Sequence, residues 1–305
     1  MTDISPAVPS LIDLLLGFLD AMVRQKGLSN NTVEAYRRDL QRYIEALAGH
    51  DVDHPEHIRP EHITQLLDRL RDEGLSPATL ARNLSSIRRF HSFLLVEGVT
   101  RQDPSAGVAP PKLERRLPDF IAVEEMERLL QSPSTDEPLG LRDRAIVELL
   151  YASGMRVSEL IALQKPNLMT ESSLVRIVQR NGRPRLVPIG RQAILYADKY
   201  LNEVRPQIAR ADADSTVFLN AQGRALSRMS IWKIIRTAAD KAGLDKPISP
   251  HTLRHSFAAH LLAGGAHLRD IQELLGHTDI NTTQIYSHID SKYLKDIHRA
   301  YHPRG

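Results

Sequence analysis

The chain has 305 residues, 42% hydrophobic and 25% charged, with no cysteine and a formal net charge of +3. This composition suits a soluble globular protein with two ordinary cores, and it excludes disulfides and thiolate metal sites. The apolar run at 14–19 is too short to span a bilayer and follows no basic segment, so the chain is expected in the cytosol, with no membrane association.

Net charge hides an asymmetry. Residues 1–110 carry 12 Lys and Arg against 15 Asp and Glu, whereas the remainder carries 28 against 22. Any nucleic-acid contact must therefore come from placed clusters and not from bulk charge.

Helical apolar spacing runs over residues 10–26 through Leu11, Leu14, Leu15, Phe18, Leu19 and Met22. After a turn at 27–31, a second helix extends to about Ala48, with Val33, Tyr36, Leu40, Tyr43, Ile44 and Leu47 inward. Pro60 opens a third helix that stops at Gly74, and Ser76-Pro77 opens a fourth that stops at Gly98. Four helices joined by short loops predict a compact all-helical domain over residues 1–103. Its outer faces carry Arg37, Arg38 and Arg42, then Arg82, Arg88 and Arg89. These form either a solvated face or a set of contacts to DNA phosphates.

Residues 104–118 read as a semi-extended linker, with Pro104, Gly107, Pro110, Pro111 and Pro118 around Lys112, Arg115 and Arg116. It is either a hinge or a basic strap along a duplex. A second domain then spans 119–305, with helical patterns at 123–131, 139–152 and 156–163. Arg156 falls at the start of the last of these, where the helix dipole favours an anion over a cation. The placement makes sense if an anion sits between the guanidinium and the free N–H groups. Glu159, three residues on, can orient Arg156. Two β-rich runs, at 174–178 and 185–189, flank Arg180-Asn181-Gly182-Arg183, a hairpin signature with Arg180, Arg183 and Arg185 at its tip and flanks, where Arg183 and Arg185 are expected to contact DNA. Helices return at 190–205 and 227–243.

The run from Ser249 to Tyr286 concentrates charge, imidazoles and a phenol. Ser249-Pro250 starts a helix on which His251 and Arg254 share a face and Leu253, Phe257, Leu261 and Leu262 form the apolar stripe. A second amphipathic helix closes at Gly276, putting His277 at a helix end, and a short helix at 279–285 leads to Tyr286. Two donors and a cation around one oxygen nucleophile suit attack on a phosphodiester, where charge builds on the non-bridging oxygens. After Tyr286, the pattern at 293–298 reads as a short terminal helix, serving a partner subunit or docking on its own domain, with nothing beyond it required for the core.

Taken together, Arg156 in Gly-Met-Arg-Val-Ser-Glu, His251-Thr-Leu-Arg254-His, Leu-Gly-His277 and Thr-Gln-Ile-Tyr286 resemble the signature set of tyrosine recombinases. The likeness covers nearly the whole chain and points within that family to the Xer recombinases, D-type, supported by Arg-Leu-Pro at 116–118 and His-Pro-Arg at 302–304. The resemblance implies a mainly α fold: an N-terminal four-helix, SAM-like core-binding domain and a mostly helical catalytic domain with a small β-hairpin. It implies DNA strand exchange without metal or cofactor, through a 3′-phosphotyrosyl bond on Tyr286. Arg156 and Arg254 would clamp the phosphate, His277 would stabilise the transition state, His251 would move the phenol proton, and Glu159 would support them. The implied partners are a double-stranded recombination site, an XerC-like partner recombinase in a heterotetramer with the terminal helix docked into a neighbour, and an FtsK-like DNA translocase. The implied role is resolution of chromosome dimers at cell division.

One position departs from the family pattern. The catalytic lysine of the hairpin turn corresponds to Arg180, and no lysine occurs between Lys165 and Lys199. Arginine keeps the charge but is effectively never deprotonated, so it is a poor proton donor. Three other readings are a phage or mobile-element integrase of the same family, a DNA-binding architectural protein with impaired catalysis, and a hydrolase with metal on His251, His255 and His260, together with His277 or His288. The last lacks the inward carboxylate that such a helix needs.

Overall fold

A computed structural model describes residues 9–26, 30–112, 120–178, 184–210, 215–276 and 298–304. Arg115, Arg116, Arg180, Arg183, His277, Tyr286 and the expected helix at 279–285 lie outside the described residues. The chain divides into two compact units, residues 1–115 and 116–305.

The first unit packs four helices: α1 (Leu11–Lys26), α2 (Asn30–Ala48), α3 (Pro60–Asp72) and α4 (Pro77–Val96). Each start is written locally. Ser76 accepts the Thr79 N–H and Pro77 fills the first turn of α4, where no N–H is needed. Phe18 is fully buried at the centre, edge-on to Tyr36, Phe90 and Phe93 at 5.5–5.7 Å. The buried carboxylate of Asp39 ties α2 to α4 through Arg82 and the Ser86 hydroxyl. Val108 joins this core and its carbonyl takes a 2.6 Å bond from Arg88. The packed unit therefore runs past residue 103, into the stretch read from composition as linker.

In the second unit, α5 (Val123–Gln131) and α6 (Pro138–Ser153) are followed by the short α7 (Val157–Ile161). A three-stranded antiparallel sheet has the order β1 (Leu168–Met169), β2 (Leu174–Ile177) and β3 (Arg185–Pro188). Next come α8 (Arg191–Lys199), a π-helical turn Tyr200–Val204, α9 (Arg205–Ile208), α10 (Arg228–Lys241), α11 (Pro250–Gly264) and α12 (Leu268–Leu275). The central α6 is buried on nearly every side, from Leu141 to Ser153. Its charges survive burial because they are paired, Arg144 with Glu148 at 2.9 Å and Arg142 with Asp143 at 2.6 Å.

Several sequence expectations change. The hairpin gains β1, which no apolar pattern announced in two residues. Pairing ends at Ile177↔Arg185, so residues 178–184 separate the last pair. The expected Asn181-Gly182 turn lies outside the described residues. The helix expected at 190–205 breaks into a π turn before Pro206, which has no N–H to continue the ladder. Leu262 is 54% exposed and does not belong to the apolar stripe of α11, because Leu253, Phe257 and Leu261 already fill that face.

His91 in the first unit is fully buried against the Tyr43 hydroxyl at 2.9 Å. Burial lowers its pKa from 6.5 to about 4, against an upward pull from Asp103. A depressed folded pKa means that its contribution is present above about pH 6.5 and is lost as pH falls towards 4. Acidifying from pH 7 to 4 should therefore remove about 3 kcal/mol from the first unit through this group. Hydrogen exchange of the α2 and α4 amides in the full chain should show this loss, and His91→Gln should flatten it.

Candidate active site

The site is assembled at the corner where α6 ends and α7 begins. Gly154 closes α6 in the left-handed region, φ 57°, and a Cβ there would stand 2.5 Å from the Phe257 ring. Only glycine fits, on both conformational and steric grounds. The turn delivers Arg156 to the position preceding α7, and Glu159 reaches back to accept the Arg156 N–H at 2.7 Å and its guanidinium at 3.0 Å.

Glu159 is shared. Arg185, at the start of β3, donates both terminal nitrogens to its two oxygens at 2.9 Å. This planar fork is the arrangement guanidinium favours. Burial pushes the Glu159 carboxyl up, but the bonds from Arg185 and the Arg156 N–H outweigh it and hold the group below the usual range. Arg185 spends its remaining donor on the Leu274 carbonyl at 2.9 Å. With its side chain only 10% exposed, Arg185 supports Glu159. Arg156 keeps 40% of its side chain exposed.

Arg254 arrives from α11, whose start is fixed by a reciprocal Ser249–Thr252 capping box. Its guanidinium donates to the carbonyls of Gly154 at 2.5 Å and Leu275 at 2.7 Å. Burial first, then the positive fields of Arg156 and Arg185, pull its pKa down to about 10, so it stays charged at neutral pH. His251, one turn earlier, is exposed and lines with Arg254, His255 and Leu275 an open cavity of about 590 Å³. The structure thus brings together Arg156, Glu159, Arg185 and Arg254, with His251 at the mouth. Guanidiniums placed like this are suited to an anion.

His260 does not join them. It is 6% exposed, bonded to the Tyr151 hydroxyl and the Ile121 carbonyl at 2.8 Å each, and so is a satisfied core residue. Among the described residues no group of three metal-capable side chains occurs, and no helix is long and apolar enough to cross a membrane.

Two family models match the chain: the phage integrase family over residues 119–292, and the phage integrase N-terminal SAM-like domain over 15–98. The chain belongs to the phage integrase family. A tyrosine recombinase XerD of Chlorobaculum tepidum is 45% identical over 94% of this chain and 95% of its own length. One from Staphylococcus epidermidis is 42% identical over 97% and 99%. The fold matches the crystal structure of XerH site-specific recombinase bound to palindromic difH substrate, with a TM-score of 0.71 at 22% identity over 94% of this chain and 83% of that one. It also matches a dimer of lambda integrase residues 75–356 bound to a COC' core site, with a TM-score of 0.69 at 18% identity over 93% of this chain and 100% of that one. The chain is a site-specific tyrosine recombinase, an enzyme that cuts and rejoins DNA.

For this recombinase the basic side chains of the first unit are less free than their spacing suggests. Arg37 pairs with Glu34 at 3.3 Å, Arg38 donates to the Glu34 carbonyl, Arg82 rests on Asp39, and Arg88 on Val108. Arg89 is half-buried and Lys112 exposed. Sequence reading passed over the outer face of α10, where Arg228, Met229, Trp232, Lys233 and Arg236 are all exposed. The signal was there: a tryptophan and three cations at helical spacing among inward isoleucines.

Removing the shared carboxylate tests the recombinase scaffold. Glu159→Ala leaves Arg185 buried without its partner and should destabilise the second unit by about 3 kcal/mol in urea unfolding. Adding Arg185→Met should recover part of that loss, because the uncompensated charge goes with it.

Proposed function

We propose that this recombinase cuts DNA with Tyr286 and resolves chromosome dimers at cell division, the role carried by the Xer resemblance. The observation that supports it best is the convergence of Arg156 and Arg254, from separate helices, on one corner braced by Glu159. Each can address a different non-bridging oxygen of a scissile phosphate.

In this reading the Tyr286 oxygen attacks phosphorus, His251 accepts the phenol proton, and the P–O5′ bond breaks to release a 5′-hydroxyl. His277 donates a hydrogen bond to the phosphorane. The phosphotyrosyl ester conserves the bond energy, so a second 5′-hydroxyl can reverse the step without ATP. Arg180 contributes charge to the leaving oxygen, and water supplies the proton that a lysine would give. Arg37, Arg38, Arg82, Arg88, Arg89, Lys112, Arg115, Arg116 and Arg183 contact the duplex backbone, joined by the exposed face of α10. A full synapse pairs this chain with an XerC-like recombinase in a heterotetramer, activated by an FtsK-like translocase in the cytosol.

The test is covalent trapping on a nicked recombination-site duplex, resolved on a denaturing gel. Wild type should give a protein–DNA adduct that is absent in Tyr286→Phe and insensitive to a chelator. Arg180→Lys should trap at least about tenfold faster, since it restores a titratable acid. A wild type that binds the site with its partner supplied and gives no adduct would overturn the reading.

A further inference from the structure

The last described turn, residues 298–304, folds back onto its own unit. His298 and His302 are 2% and 5% exposed and stack on one another, with ring centroids 4.6 Å apart. His298 Nε2 donates to the Ala152 carbonyl at 2.9 Å, and His302 lies 5.3 Å from the Phe257 ring. Arg304 reaches Glu148 at 3.3 Å and its N–H donates to His302 Nδ1 at 3.1 Å. The Tyr301 carbonyl passes so near Gly264 that a Cβ there would lie 2.5 Å from it. These residues form part of the core of their own unit, while residues 293–297 of the expected terminal helix lie outside the described residues.

The turn presses on the parts that aim Arg254. Ala152 lies in the last turn of α6, where carbonyls have no partner within the helix, and His298 supplies the donor. Two residues later, the Gly154 carbonyl accepts Arg254. Phe257, one turn beyond Arg254 on α11, has Gly154 against its ring and the two imidazoles beside it. The stack is continuous from His302 to the acceptor of Arg254.

We propose that His298 and His302 are positioning residues for strand cutting, holding the end of α6 against Phe257 so that Gly154 fixes the direction of Arg254. The inference rests on Arg254 acting on the scissile phosphate, as in the proposed function. An apolar side chain of similar size fills the same space but leaves the Ala152 carbonyl unbonded, so the role requires a donor and not bulk alone.

The test uses the full chain in single-turnover trapping on the nicked duplex, with His298→Leu, His298→Gln, Arg254→Lys and the double variant His298→Leu/Arg254→Lys. His298→Leu should slow trapping about 10- to 100-fold while DNA affinity stays within about twofold, as for a displaced catalytic group. His298→Gln, which keeps an amide donor, should recover most of the rate. The double variant should be no slower than Arg254→Lys alone, because both act through one group. Should His298→Leu fail to fold, His302→Asn, which removes the stacked ring, enters the same cycle. Wild-type trapping in His298→Leu, or rate losses that multiply in the double variant, would overturn the positioning role alone. Absence of any Tyr286-dependent adduct in wild type would overturn the underlying reading and the inference with it.

Discussion

The carboxylate of Glu159 is the constraint on which the rest of the site depends. It joins the residue before α7 to the first residue of β3. Through Arg185 it also reaches α12, whose last carbonyls have no helical partners. Arg185 takes Leu274 and Arg254 takes Leu275, so two guanidiniums cap the negative end of that helix. Gly276 then turns the chain in the left-handed region, and the segment carrying His277 and Tyr286 departs from a point held by both arginines.

Three guanidiniums around one carboxylate leave a net positive charge in a partly buried place. Arg254 registers this as a depressed pKa, set by burial and by its two cationic neighbours. The arrangement is tolerable because Arg185 and Arg254 donate to fixed carbonyls and Arg156 and Arg185 to Glu159. What is left over is an excess of positive charge of the kind a phosphate would neutralise. A stably folded core and a site poised for an anion thus come from the same ion pairs.

Burial of charge recurs through the second unit. Arg144, Glu148 and Arg304 form a chain from α6 to the end of the described tail, and Arg144 also lies over the Tyr196 ring at 4.6 Å. Such groups add little net stability compared with apolar residues, yet removing one partner is costly.

The sequence by itself determined the helices, because caps, prolines and apolar spacing act within a few residues: Ser76-Pro77, Ser249-Pro250 and Gly276 all end or begin helices where their chemistry says they should. It also placed Arg156 beside Glu159, since three residues on a helix start are always neighbours. It could not show that Glu159 faces Arg185, because 26 residues and a sheet register lie between them. Nor could it separate Leu262 from the apolar stripe of its helix, or foresee that His298 and His302 would be core residues. Local bonds are set by spacing along the chain. Which cation a buried carboxylate finds, and which imidazole meets an orphan carbonyl, are decided only when distant segments pack and water is excluded.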